Sequence, residues 1–265
     1  MRHALILGSG FTGQRTAALL RARGWPVTCT NRSGSAGLRF DATDPESLGS
    51  LAGAITAESV VLHSIPVPGA AGMLRANPPA RIVYLSTTGV YGDARAVDES
   101  TPIAPRTERE RLRAAEERAV QAGPWSALVL RPAAIYGPGR GIHTAMRAGT
   151  YRLNGDGSNF VSRIHVDDLA RHAEAAMLSP LEGAYPVADE EPCTSLEIAA
   201  YCARILGVPL PEAARADELG ETRRADRRVD ASAIRRLLNV SLLYPNYRVG
   251  IAACLEEEAR AFSTS

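Results

Sequence analysis

A doubly wound α/β fold is predicted by two features of the sequence. The first is a run of apolar residues, Ala4-Leu5-Ile6-Leu7, that enters Gly8-Ser9-Gly10-Phe11-Thr12-Gly13 and then a helix-like segment from Gln14. The second is that strand-like apolar runs alternate with helical patterns as far as Gly139, which means right-handed βαβ crossovers and a parallel sheet. An unbroken apolar run reads as a strand buried on both faces of such a sheet. The three motif glycines have separate jobs. Gly8 allows a tight turn, Gly10 lets a pyrophosphate approach the backbone, and Gly13 lets the helix pack close to the strand. The helix N-terminus then offers free N–H groups and a positive dipole end to phosphates. A G-x-G-x-x-G between a strand and a helix is the Rossmann-type dinucleotide fingerprint. The plain alternative is a strand–turn–helix with glycine at the turn.

The first strand is read over 3–7 and the first helix over 12–23, stopped by Gly24. Residues 27–30 form the second strand. The next residues, Asn31-Arg32-Ser33, stand where such a fold selects its cofactor. A carboxylate there would hold a ribose 2′-hydroxyl, whereas an arginine accommodates a 2′-phosphate. Arg32, with Ser33 as a hydroxyl donor, therefore favours NADP, with NAD left open; a solvated loop arginine is the alternative. Residues 38–40 are a short third strand. Asp41 follows it and could reach the adenine amine, and Asp44-Pro45 is a helix-start signature. Residues 60–64 are the fourth strand, ending near His63 and Ser64 on the nicotinamide side. His63 is an acid/base candidate or a packed, hydrogen-bonded ring.

The fifth strand, 81–85, runs into Ser86-Thr87-Thr88-Gly89-Val90-Tyr91-Gly92-Asp93. Ligands of open α/β sheets sit beyond strand carboxyl ends, so this hydroxyl cluster faces cofactor and substrate. A charged helix over 107–121 ends at Gly123-Pro124, and 126–131 is the sixth strand. After Gly139 the alternation loosens. Short elements are expected at 142–149, 151–154, 160–165 and 184–187, and helices from Asp167 to Leu178, over 195–206, from Asp230 and over 247–262. This divides the chain into a dinucleotide-binding domain, 1–139 with 160–185, and a smaller substrate lobe, 140–159 with 186–265.

Bulk composition narrows the function. The 265 residues carry a net charge of +1, which gives no general attraction to nucleic acid or to acidic membranes. Cys29, Cys193, Cys202 and Cys254 are scattered without a C-x-x-C, which argues against a disulfide framework and against a metal site. No signal-peptide pattern or membrane-length apolar run is present, so a cytoplasmic protein is expected. All thirty basic residues are arginine; the chain contains no lysine.

The motif order resembles the extended short-chain dehydrogenase/reductase superfamily. The resemblance rests on Gly10-Phe11-Thr12-Gly13, the block 86–93, Leu130-Arg131-Pro132 with Ile135-Tyr136-Gly137-Pro138-Gly139, and Arg163-Ile164-His165-Val166-Asp167-Asp168-Leu169-Ala170. Leu7 replaces an additional glycine of the usual motif. That spacing, with Arg227-Arg228-Val229 and the segment 243–250, is similar to an atypical, epimerase/dehydratase-like subgroup. The resemblance implies hydride exchange at a nicotinamide, Thr87 as the family's Ser/Thr that contacts a substrate oxygen, and Ser86 and Ser64 near the cofactor. It also implies Tyr-x-x-x-Lys on the helix after the fifth strand, with tyrosine as acid/base and lysine lowering its pKa. Here that helix begins Thr107-Glu108-Arg109-Glu110-Arg111-Leu112-Arg113, so the usual pair is missing. Tyr91, Tyr136 or Glu108 could replace the acid, while His165 and Asp168 read as a satisfied core ring and a helix-start carboxylate. Arg223, Arg224, Arg227 and Arg228 are either a phosphate clamp or a solvated helix face.

The expected function is an NADP-linked oxidoreductase or epimerase/dehydratase-like enzyme on a small or nucleotide-linked substrate. The alternative is a non-catalytic dinucleotide-binding regulator or scaffold. Expected partners are a small-molecule substrate and at most a second copy of the chain in a homodimer, with neither nucleic acid nor membrane.

Overall fold

Strands that are apolar on successive residues are stable only when both sheet faces are covered. The computed structural model, which describes residues 3–51, 53–215, 218–219 and 225–263, meets that requirement with one parallel sheet between helical layers. Its seven strands are β1 His3–Leu7, β2 Val27–Asn31, β3 Leu38–Arg39, β4 Ser59–His63, β5 Arg81–Leu85, β6 Ser126–Pro132 and β7 Gly183–Val187. Their spatial order is β7-β6-β5-β4-β1-β2-β3, and every pair is parallel. This is the doubly wound order 3-2-1-4-5-6 with one strand added at the edge. The order reverses between β1 and β4, where the crevice of such a sheet opens. Leu7 stands beside Thr30 on one side and His63 on the other. The glycine turn, Asn31 and Ser64 thus leave the sheet along one edge.

The helices are α1 Phe11–Ala22, α2 Ala70–Leu74, α3 Glu108–Gln121, α4 Ile142–Arg147, α5 Val166–Leu178, α6 Ser195–Leu206, α7 Ser232–Leu238 and α8 Tyr247–Ser263. Alternation along β1 sends Ala4 and Ile6 into a core with α1 and α5, and Leu5 and Leu7 into a second core with Leu51, Ala70 and Leu74. A third apolar cluster joins α4, α6 and α8 through Ile142, Met146, Ile198, Cys202, Ile251 and Cys254.

Several boundaries depart from the sequence reading for local reasons. Thr107 is the N-cap of α3 rather than its first residue, closed by a capping box with Glu110. The strand expected over 160–165 is two short strands, Phe160–Val161 and Arg163–His165, with different partners. Ser162 separates them, its amide donating to Arg227 O and its hydroxyl accepting from Val229 N. Asp44-Pro45 opens a 3₁₀ segment, Pro45–Leu51, not an α-helix. Asp230 accepts from Ser232 N, and the helix begins there at Ser232.

Buried polar groups tie late segments to the sheet. The fully buried Asp168 carboxylate accepts from Leu243 N at 2.7 Å and Tyr244 N at 2.9 Å, as the structural reading of that residue expects. Glu258 of α8 accepts from Gly139 N, at 2.7 Å, and from Arg147, at 2.8 Å. Tyr136 is buried with no partner for its hydroxyl among the described residues, and Gly250 packs directly against it. Tyr136→Phe should therefore leave stability unchanged or raise it. Gly250→Ala should destabilise by about 1–3 kcal/mol through overpacking, and Tyr136→Phe should recover part of that loss in the double variant. Urea denaturation of the four proteins checks this; an equal Gly250→Ala loss with and without the hydroxyl would refute the packing account.

Candidate dinucleotide and substrate site

The glycine turn is built by exclusion. Gly8 has φ +94°, and a Cβ there would stand 3.0 Å from Ser64 Oγ and 3.1 Å from Ile65. A Cβ on Gly13 would collide with Gly8 O, whereas one on Gly10 meets nothing within 4 Å. The turn is thus closed toward the protein and open at Gly10. The first turn of α1 has no side-chain cap and no acid, so its positive end is left for an anion. The ring of Phe11 lies between Arg15, at 4.6 Å, and Arg140, at 5.2 Å. Thr12 is buried behind the turn. Among the described residues the buried Ser9 and Ser86 hydroxyls have no partner, and Ser86 faces the large cavity. The open Gly10 face, the uncapped helix and these orphaned hydroxyls fit a dinucleotide.

At the end of β2, Asn31, Ser33 and Ser35 form a hydrogen-bonded hydroxyl–amide cluster, with Asn31 Nδ2 2.9 Å from Ser35 Oγ. Arg32 beside it is exposed and acts electrostatically on Asp41. Asp41 accepts from the Thr43 N–H at 3.0 Å and its hydroxyl at 2.8 Å, and these bonds hold its pKa below the usual carboxylate range. Ser64 is otherwise engaged: its hydroxyl points at Gly8 O, 2.6 Å away, and fixes the turn.

A cavity of about 830 Å³ lies beyond the carboxyl ends of β5 and β6. Thr87 lines it. Its Oγ1 accepts from Gly89 N at 3.1 Å, which leaves its proton free to donate. The other three acid candidates are not gathered there. Tyr91 is buried against Arg131, whose Nη1 donates to its hydroxyl at 3.1 Å, and burial raises its pKa. Tyr136 is sealed under Gly250, and burial raises its pKa as well. Glu108 points to solvent, 74% exposed, and pairs with Arg111. His63 is also occupied. Its Nδ1 accepts from Ile65 N, so Nε2 carries the proton to Glu116 Oε1, 3.0 Å away. Burial works against the Glu116 carboxylate, but the bonds from His63, Ala71 N and Gly69 N outweigh it and lower its pKa. His165 is a core ring between Tyr136 and Tyr244, and burial lowers its pKa to about 4.

The arginine run is described only at Arg227 and Arg228. Arg223 and Arg224 lie outside the described residues. Arg227 is buried and donates to Thr88 O at 2.7 Å, Ala94 O at 2.9 Å and Gly92 O. Arg228 belongs to a short strand, Arg228–Val229, and stacks on Phe160 at 3.3 Å. What the sequence reading missed is Arg109 and Arg113, both of which line the cavity from α3. Their i, i+4 spacing equals that of Tyr-x-x-x-Lys, and that match was the available signal. Among the described residues the lining contains six arginines and three carboxylates, and no histidine, cysteine, tyrosine or lysine.

Comparison with known proteins agrees with this architecture. A family described as the NAD dependent epimerase/dehydratase family matches residues 69–187. A 3-diazoavenalumate denitrifying reductase from Streptomyces sp is 31% identical over 257 residues, covering 80% of this chain and 83% of that protein. The chain belongs to the NAD-dependent epimerase/dehydratase family. Protein YeeZ of Escherichia coli K12 is 28% identical across 93% of this chain and 97% of its own. A conserved protein of unknown function from Silicibacter pomeroyi superposes with TM-score 0.80 at 33% identity, covering 96% of this chain and 98% of that one. MoeE5 in complex with UDP-glucose and NAD superposes equally well, TM-score 0.80, at 21% identity over 98% and 99% of the two chains, and so shares the fold. Among the described residues, no helix is long and apolar enough to cross a membrane.

A second, smaller cavity of about 390 Å³ is lined by Asp189, Glu190, Asp98, Arg228 and Arg235. Asp189 is 2% exposed, and neither carboxylate oxygen has a partner of good geometry. Burial pushes its pKa from 3.8 up to about 8, against the pull of Arg163. A carboxyl whose pKa rises on folding loses stability as pH climbs from the unfolded value toward the folded one. Asp189→Asn should therefore gain stability over the parent as pH rises from about 4 to about 8 and level off above. Melting temperatures of both proteins across that range check it, and a gain confined to low pH would contradict it.

Proposed function

We propose that this family member is an NADP-linked oxidoreductase acting on a small molecule. The observation that carries the reading is the closed-behind, open-in-front glycine turn at the sheet's switch point, beside a roomy polar cavity. The uncapped start of α1, the open face of Gly10 and Arg140 over Phe11 would hold the pyrophosphate. Arg32, Ser33 and Asn31 would receive a 2′-phosphate, the basis for NADP over NAD. Asp41 faces the adenine end, and the free Ser86 hydroxyl faces the nicotinamide end. The nicotinamide supplies hydride chemistry, and the protein positions the acceptor. Thr87 donates a hydrogen bond from its hydroxyl to a substrate oxygen or nitrogen. No tyrosine, histidine, cysteine or lysine lines the cavity, so a proton needed to complete a reduction comes from water or from a carboxyl. The Streptomyces relative is itself called a reductase. Nucleotide sugars, as bound by MoeE5, are the second substrate class to test. The protein works in the cytoplasm on this reading.

The missing Tyr-x-x-x-Lys also supports a second reading, a dinucleotide-binding regulator or scaffold without turnover. Calorimetric titration of stripped protein with NADPH and with NADH tests both. Tight binding that favours NADPH, and loses that preference in Arg32→Ala, is the expected result. Gly10→Ala should melt like the parent yet bind at least about tenfold more weakly, a penalty of about 1.4 kcal/mol. Failure to bind either dinucleotide removes the enzyme reading. Binding without turnover across a panel of carbonyl and diazo compounds, with a protein captured in pull-downs, favours the regulator.

A further inference from the structure

Several of the arginines that line the large cavity are already engaged. Arg95 pairs with Asp226 at 3.2 Å, and Arg106 pairs with Asp93. Arg227 is consumed by backbone carbonyls. Arg140 lies over Phe11 on the glycine-turn side. The Glu110 carboxylate is held by Arg106 N at 2.7 Å and Thr107 N at 3.1 Å, as the cap of α3. Apart from Arg140, which the dinucleotide reading uses, two guanidinium groups with open donors remain among the described residues. Arg109 makes no hydrogen bond or ion pair among the described residues. Arg113 is half-buried and held only through Nη1, by Tyr84 Oη at 2.9 Å and more weakly by Ile65 O and Leu85 O. Tyr84 is a neutral partner: burial pushes its pKa up to about 12. Nε and Nη2 of Arg113 have no partner among the described residues. A half-buried guanidinium with one planar edge left open is a fork for an oxyanion.

We propose that Arg109 and Arg113 are a clamp for a carboxylate on the substrate. They stand at i, i+4 on α3, the helix on which the superfamily resemblance implies tyrosine and lysine at that same spacing, and they line the cavity that Thr87 also lines. The inference rests on the dinucleotide reading and adds the substrate class: small organic acids. Binding at this position fixes the acid group beside Thr87. It also converts a face that elsewhere moves a proton into one that only binds and orients.

The test uses full-length protein saturated with NADP⁺, with benzoate, benzamide and phenyl phosphate as probes, observed by saturation-transfer NMR. Benzoate should bind and benzamide should not. Arg109→Ala, at an exposed position where folding is not at stake, should weaken benzoate at least about tenfold. Arg113→Ala should do the same, and Arg113→Lys should fail to restore it because the planar fork is lost. Equal binding of benzamide, or benzoate binding unchanged in both alanine variants, overturns the clamp. A preference for phenyl phosphate overturns the carboxylate assignment. Loss of NADP⁺ affinity in Arg113→Ala with benzoate unaffected would place Arg113 on the ribose instead and likewise overturn it. Cofactor titration of the same samples separates the two readings. Parent protein that binds no dinucleotide sinks the dinucleotide site itself, whereas bound cofactor with no benzoate binding sinks the clamp alone.

Discussion

The contact on which the site depends is the closure of Gly13 onto the carbonyl of Gly8. No side chain fits between them, so α1 starts directly against the end of β1. That places an uncapped helix N-terminus over the point where the strand order reverses. Ser64, from the far side of the crevice, donates to the same carbonyl and keeps Gly8 at a positive φ that only glycine adopts without strain. The turn is therefore over-determined from behind and empty in front. An anion-binding loop needs that combination, because its backbone groups must be fixed before the ligand arrives.

Arginine does most of the remaining polar work. Arg131 holds Glu117 through two nitrogens in a buried pair, with Nη2 2.7 Å from Oε2, and reaches Tyr91 with Nη1. Arg227 gathers three carbonyls of the loop after β5 and so anchors a late segment to the cavity wall. A lysine could do neither, since a single ammonium cannot span separated acceptors in a plane. Removing one partner of the buried Arg131–Glu117 pair would leave an uncompensated charge, which costs about 3–5 kcal/mol. These arginines are fixed parts of the scaffold, and they are distinguishable from Arg109 and Arg113 by their partners.

What was legible in the sequence followed from local rules. β1, β5, α6 and the glycine turn are marked by continuous apolar runs, capping residues and glycine spacing, which act within a few residues of themselves. The two pieces at 160–165 were not separable, because the break at Ser162 is made by Arg227 and Val229, more than sixty residues away. The bracing role of Arg227 was not legible for the same reason: whether an arginine is a clamp or a brace depends on which carbonyls the fold brings to it. Glu108 and Glu110 differ by two positions and have opposite fates, one solvated and one locked into a cap, which follows from the phase of α3 relative to its N-cap. Arg109 and Arg113 were not legible because the face of α3 that lines the cavity is set by tertiary packing, which, their spacing aside, leaves their guanidinium groups indistinguishable in sequence from those of Arg111 and Arg118.

That face bears on what chemistry the family fold can retain. A tyrosine lowered by a lysine can give and take a proton near neutrality, which suits reversible oxidation of an alcohol. An arginine pair stays charged throughout the accessible pH range, so it stabilises negative charge without moving a proton. On the reductase reading, such a pair favours acceptors whose reduction product needs no enzyme-bound acid, or one supplied by water. It disfavours epimerisation, which needs the same group to act first as base and then as acid. The position of α3 is fixed by its capping box and by the Glu116 and Glu117 bonds on its buried side, none of which involves Arg109 or Arg113.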